Sequence, residues 1–190
     1  ASAVANPMTP ANVPHELTSE ECGEMVGKFV FAAGIAKSAD ADGVELHGAH
    51  GYLINTFLSP AMNFRTDRYG GSFENRMRFV TEILTGIKRE CGRSFPVSVR
   101  INAEEDYPGG IDPDEAARIA AALERAGADA INVSCLSLGC LEPGSYEQGW
   151  KKNMAAAVKK AVSIPVISVS NIKDPWVAEA LLEEGDCDFA

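Results

Sequence analysis

Four short apolar runs, GVELH, PVSVRIN, ADAINVS and IPVISVSN, recur along the chain, and each is parted from the next by segments whose apolar residues return at helical spacing. Runs of this length read as strands, and the intervening segments as helices. A strand, a helix and a second strand in succession imply a right-handed crossover and a parallel sheet. The alternation therefore confines the chain to an α/β fold, either a closed barrel or an open sheet. An open nucleotide-binding sheet usually carries a glycine-rich turn after its first strand, and no G-x-G-x-x-G is present. A (β/α)8 TIM barrel is the expectation.

The helix starts are written in capping chemistry. Thr18 with Glu21 three residues on makes a capping box ahead of SEECGEMVGKFVFAAGIAKSA, and Ser72 caps FENRMRFVTEILTGIKREC. Asp112-Pro113-Asp114-Glu115 combines an Asp cap, a proline at the first helical position and a glutamate at the third, with Gly127 as the stop. Further helices are expected around WKKNMAAAVKKAV and after Asp174-Pro175, and a polar loop from Ser59 to Gly71.

Strand parity points to a site. Parallel strands covered on both faces normally read as unbroken apolar runs, but these alternate. Val44, Leu46, Val97, Val99, Ile101, Ile131, Val133, Ile167 and Val169 share the apolar parity. With that parity packed on the helices, Glu45, His47, Arg100, Asn102, Asn132, Ser134, Ser168 and Ser170 point into the barrel. Such a lining is too polar for a passive core, although partners such as Glu45 and Arg100 could satisfy one another. His47, Arg100, Ser134 and Ser170 fall near the C-terminal strand ends, where barrel enzymes build their sites.

A complete barrel takes roughly 250 residues and eight strand-helix units. These 190 residues supply four units and the beginning of a fifth, so residues 1–190 are expected to form one partial barrel domain, lacking its first strands and its closure. The net charge of −10 and the isoelectric point near 4.8 oppose binding to nucleic acid or anionic membranes, which leaves a small-molecule partner. No apolar run is long enough to span a bilayer. The odd, scattered set of five cysteines, with no export signal ahead of it, suggests free thiols and a cytoplasmic location.

The segment ELHGAHGY gathers two of the three histidines and follows them with a tyrosine. One reading is a metal-dependent barrel hydrolase with Glu45, His47 and His50 on one ion. Against it, H-x-x-H across a strand end is not the helical H-E-x-x-H pair, and Arg100 would repel a cation. A non-catalytic barrel fragment is a third reading.

The longer run DGVELHGAHGYLINTFLSPAMNFRTDRYGGSFENRMRF closely resembles the signature segment of the Old Yellow Enzyme superfamily, the FMN-dependent ene-reductases and NAD(P)H:flavin oxidoreductases built on an eight-stranded barrel. The likeness extends over nearly the whole chain. It is greatest to the larger bacterial members, which include 2,4-dienoyl-CoA reductases and bile-acid-modifying reductases. The resemblance implies that the chain covers the fourth to seventh strands and the start of the eighth. It implies FMN as cofactor, NADH or NADPH as reductant, and an unsaturated carbonyl substrate. His47 and His50 would grip the carbonyl oxygen, on which hydride transfer to the β carbon builds charge, and Tyr52 would protonate the α carbon. In some members asparagine replaces the second histidine. Arg100 would lie against the pyrimidine edge of the flavin, and Ser170 and Asn171 would form part of the phosphate cradle.

Arg65, Asp67, Glu74 and Arg76 are expected to hold the charged loop together rather than to touch substrate. Dienoyl-CoA reductases carry a further catalytic histidine after the sixth strand, but CLSLGCLEPGSYEQ has none, which argues against a dienoyl substrate. A four-iron cluster of the larger members would lie outside this chain. Cys135 and Cys140 lack cluster spacing and read as loop thiols. A homo-oligomer is left open.

Overall fold

The computed structural model describes residues 1–6, 10–136, 147–169 and 171–190. Helix α1 (Ser19–Ser38) opens on the expected capping box: Glu21 N–H donates to Thr18 Oγ1 at 3.1 Å, and Thr18 N–H to the Glu21 carboxylate at 2.7 Å. Strand β1 (Val44–Gly48) is followed by α2 (Leu53–Leu58), a helix of six residues that the pattern did not announce. LINTFL is too short for a helical repeat to show. Then come α3 (Phe73–Cys91), β2 (Val97–Glu105) and α4 (Pro113–Ala126). The order ends with β3 (Ala130–Leu136), α5 (Lys152–Ala161), β4 (Val166–Ser168) and α6 (Pro175–Glu183). Ser72, Asp112 and Asp174 cap α3, α4 and α6 through their side chains, as expected, and each such cap contributes about 1 kcal/mol.

The strands form one parallel sheet in the order β1-β2-β3-β4, and Phe189 adds a parallel bridge to Ile167. Strands laid down in chain order without reversal form a barrel wall, whereas a doubly wound sheet reverses at a switch point. The fold is thus α/β, a partial TIM barrel.

Register sorts the side chains into rungs. On the helix side lie Val44 with Val97, then Leu46, Val99, Ile131 and Val166, then Gly48, Ile101, Val133 and Ser168. On the opposite side lie Glu45, Ser98 and Ala130, then His47, Arg100, Asn132 and Ile167, then Asn102 with Ser134. Three strands follow the expected parity; the fourth inverts it. Ser168, expected in the barrel, is buried on the helix side, and Ile167 takes its place beside Asn132. Within the three-residue β4 the adjacent Val166 and Ile167 offer no contrast, so pairing with β3 decides the face.

Helices α4 and α5 lie against the apolar face, with α2 on β1, and Val97, Val99, Ile101 and Ile131 are wholly buried. Phe57 of α2 and Phe79 of α3 stack with ring centroids 4.2 Å apart, and Phe29 of α1 meets Phe79 edge-on at 6.4 Å. Arg65, Asp67 and Arg76 hold the charged loop together. The buried Arg65 donates Nε to Asp67 Oδ1 at 2.9 Å and Nη1 to the carbonyls of Ala1 and Leu17, which ties the N-terminal lead to the loop. The hydrogen bond from Arg65 is the largest reason the Asp67 carboxyl titrates well below the usual carboxylate range. Arg76 donates to the carbonyls of Leu58 and Gly71 and pairs with Glu115, joining α3 to α4; Glu74 stays exposed in the first turn of α3.

Among the described residues, Cys22, Cys91 and Cys187 are free and buried, and Cys135 is buried. Cys135 belongs to β3 rather than to a loop, and Cys140 lies outside the described residues. No described helix is long and apolar enough to cross a membrane.

Candidate active site

Where β1 ends, the chain turns sharply into α2. His50 and Gly51 take φ values of 62° and 73°, both left-handed. At Gly51 the left-handed backbone favours glycine, and a Cβ would sit 2.1 Å from Asn6 Nδ2 and displace that side chain; Asn6 closes over the turn and donates to the His50 carbonyl at 3.2 Å. Gly48 has a similar cause, since its Cβ would stand 2.9 Å from the Arg100 carbonyl.

This turn gathers three rings. The His47 centroid is 5.0 Å from that of His50 and 5.2 Å from that of Tyr52. His47 is exposed, His50 is half-buried, and Tyr52 is 60% exposed. Arg100 is the rung partner of His47 on β2 and faces the same side.

A buried polar network beneath the rings sets their backbone. His50 N–H donates to Asn102 Oδ1 at 3.2 Å, and Gly51 N–H to Asn55 Oδ1 at 2.6 Å. Asn102 Nδ2 reaches Asn55 Oδ1 at 3.2 Å and Glu105 Oε1 at 3.1 Å. The Glu105 carboxylate also accepts from Asn55 Nδ2 at 2.9 Å, Ser59 Oγ at 2.6 Å and Ile111 N–H at 2.9 Å. Glu105, on β2 beyond a register irregularity, therefore locks the turn, α2 and the following loop to one strand. Asn55 and Glu105 were not among the residues expected at the site. They hydrogen-bond each other across 50 residues of sequence, so no local spacing could mark the pair.

Glu45 does not pair with Arg100. It lies one rung below and accepts from Ser98 Oγ at 3.0 Å and Asn132 Nδ2 at 3.1 Å. Arg100 makes no ion pair among the described residues; Nη2 reaches Ser134 Oγ at 3.4 Å, and Nε is buried without a hydrogen-bond acceptor. A buried, unspent donor on the site face suits the carbonyl and nitrogen acceptors of a flavin ring. No group of three or more His, Cys, Asp or Glu among the described residues is arranged to hold a metal ion. Asn171, exposed with φ 50°, follows the fourth strand; Ser170 lies outside the described residues.

Both histidines are held neutral. Burial, then the Arg100 charge, then His47 and Lys151 lower the His50 pKa to about 4. Burial and Arg100 lower that of His47 too, partly opposed by Glu45. Between about pH 4 and about pH 6.5 the unfolded chain binds a proton at His50 that the folded chain does not. The His50 contribution to stability is therefore fully present above that window and is lost as pH falls through it. Asparagine tolerates left-handed backbone, so His50→Asn is expected to fold and to flatten the pH dependence there. Urea midpoints of both proteins at about pH 7 and about pH 4.5 provide the check, with the smaller acid shift in the variant.

A family model described as NADH:flavin oxidoreductase / NADH oxidase matches residues 2–189. An NADH oxidase of Thermoanaerobacter brockii is 48% identical over 180 residues, covering 93% of this chain and 28% of that protein. A 2-naphthoyl-CoA reductase solved with 2-naphthoyl-CoA superposes with a TM-score of 0.86 at 35% identity, over 92% of this chain and 27% of that one. Morphinone reductase in complex with tetrahydroNAD gives a TM-score of 0.73 at 30% identity, over 95% and 47%. The chain thus spans between 27% and 47% of the length of these proteins.

Proposed function

Since the chain belongs to the NADH:flavin oxidoreductase / NADH oxidase family, we propose that the complete protein is an FMN-dependent oxidoreductase that draws on NADH or NADPH and reduces the activated C=C bond of an enone or enoyl thioester. One observation carries the reading: the His50 imidazole and the Tyr52 phenol each lie within 5.2 Å of the His47 ring at the strand end, with the unspent Arg100 donor on the same face. When bound, reduced FMN supplies the hydride. Arg100 would hold the flavin through its acceptor atoms, and its fixed positive charge would favour the reduced cofactor. His47 and His50 donate to the substrate's carbonyl oxygen and stabilise the charge that develops there. Tyr52 delivers a proton to the α carbon and completes the saturated product. Asn171, with Ser170, contributes to the phosphate cradle. The 2-naphthoyl-CoA complex supports this reading, because an aryl thioester offers the conjugated carbonyl that such a pair would grip.

The test is the visible spectrum of the purified complete protein, with any bound chromophore released and identified. It is expected to be yellow with FMN bound, and Arg100→Ala is expected to lose most of that colour. A colourless protein carrying stoichiometric zinc would overturn the reading.

A further inference from the structure

Ser134 on β3 is 1% exposed, and its Oγ has three polar contacts: His50 Nε2 at 2.7 Å, Arg100 Nη2 at 3.4 Å and Lys151 Nζ at 3.5 Å. Lys151, at the start of α5, is itself 7% exposed, forms no ion pair among the described residues, and rests over the Trp150 ring at 5.0 Å. Guanidinium and ammonium groups only donate. A serine hydroxyl has two acceptor lone pairs and one proton, so two cationic donors fill its acceptor capacity and its proton must point at the remaining partner. That partner is Nε2 of His50, which can then only accept. A neutral imidazole that accepts on one nitrogen carries its proton on the other.

We propose that Ser134 is a positioning residue: pinned by Arg100 and Lys151, it donates to Nε2 of His50 and fixes that histidine as the neutral Nδ1–H tautomer. Given the ene-reductase reading, on which this further step rests, the proton that His50 offers to the substrate oxygen is the one on Nδ1. The arrangement also explains why a lysine is buried without a carboxylate at the mouth. Lys151 and Arg100 together bar the hydroxyl from turning round to accept from an Nε2–H, and they disfavour the imidazolium, which has no acceptor to spare for Ser134. The low proton affinity of His50 agrees with this placement.

The tautomer is read by nitrogen NMR of the complete protein labelled in its histidine rings, with the His50 signals assigned by their loss in His50→Asn. Wild type is expected to show a protonated Nδ1 and an unprotonated Nε2 at neutral pH. Ser134→Ala removes the donor and Lys151→Met frees one lone pair, so each is expected to shift the ring toward Nε2–H or to average the two forms, and Ser134→Thr is expected to restore the wild-type pattern. Affinity for a phenolate ligand is expected to fall about 5- to 10-fold in Ser134→Ala, the worth of one misdirected hydrogen bond. An Nε2–H signature in the wild type would overturn the proposal even if the protein is yellow and reduces enones. So would a pattern unmoved in both Ser134→Ala and Lys151→Met. A colourless, inactive protein that keeps the Nδ1–H signature, and loses it in these variants, would retire the ene-reductase reading while upholding the Ser134 assignment.

Discussion

Tyr52→Phe is expected to leave reduction of the flavin by NADH or NADPH within about twofold of wild type while slowing reoxidation by an enone about 10²- to 10⁴-fold, the usual worth of a positioned general acid. The asymmetry follows from the site. Tyr52 is mostly exposed at the mouth, so removing its hydroxyl empties no core and breaks no hydrogen bond among the described residues. Its ring still stands beside His47, and the two imidazoles keep their positions. On the proposed role, only proton delivery to carbon is lost. Anaerobic stopped-flow measurement of the two half-reactions separates the effects, and an unchanged oxidative half-reaction would remove Tyr52 from the acid role.

Glu105→Ala is expected to cost about 3 to 5 kcal/mol of stability, because it leaves four donors, on Asn55, Ser59, Asn102 and Ile111, facing an empty space from which water is largely excluded. Activity should fall further than stability accounts for. Asn102 and Asn55 hold His50 N–H and Gly51 N–H, and both lose their anchor with the carboxylate. The neighbouring Glu104 is exposed and is the natural control: Glu104→Gln should shift stability by less than about 0.5 kcal/mol. Urea unfolding of the three proteins, with turnover measured at a temperature where all are folded, tests both halves.

The contrast between Tyr52 and Glu105 marks what a sequence reveals and what it hides. The side-chain caps, the parallel order and the inward-facing parity of three strands are local patterns, set by backbone sterics and by the two-residue repeat of a strand. The cluster of His47, His50 and Tyr52 is local as well, since one tight turn brings the rings together. Glu105 is different. It looks like one more acid in the polar stretch AEEDYP, and only the irregular register of β2 against β3 buries it under α2. Lys151 likewise reads as one of two adjacent lysines, of which the fold buries one and exposes the other. The inverted face of β4 has the same origin: when neighbouring residues are both apolar, the partner strand chooses which one faces the helices.

His47→Ala should weaken binding of phenolate ligands, since half of the proposed oxygen grip would be gone, and alkene reduction itself can be followed through the flavin. The complete protein, reduced anaerobically by NADH or NADPH, is mixed with a simple enone, an enoyl-CoA thioester or a steroid enone, and the flavin's visible absorbance is followed. The oxidised spectrum is expected to return with at least one of these substrates as the saturated carbonyl product accumulates in equal amount. A reduced flavin that reoxidises only when oxygen is admitted, with every alkene recovered unchanged, would contradict it.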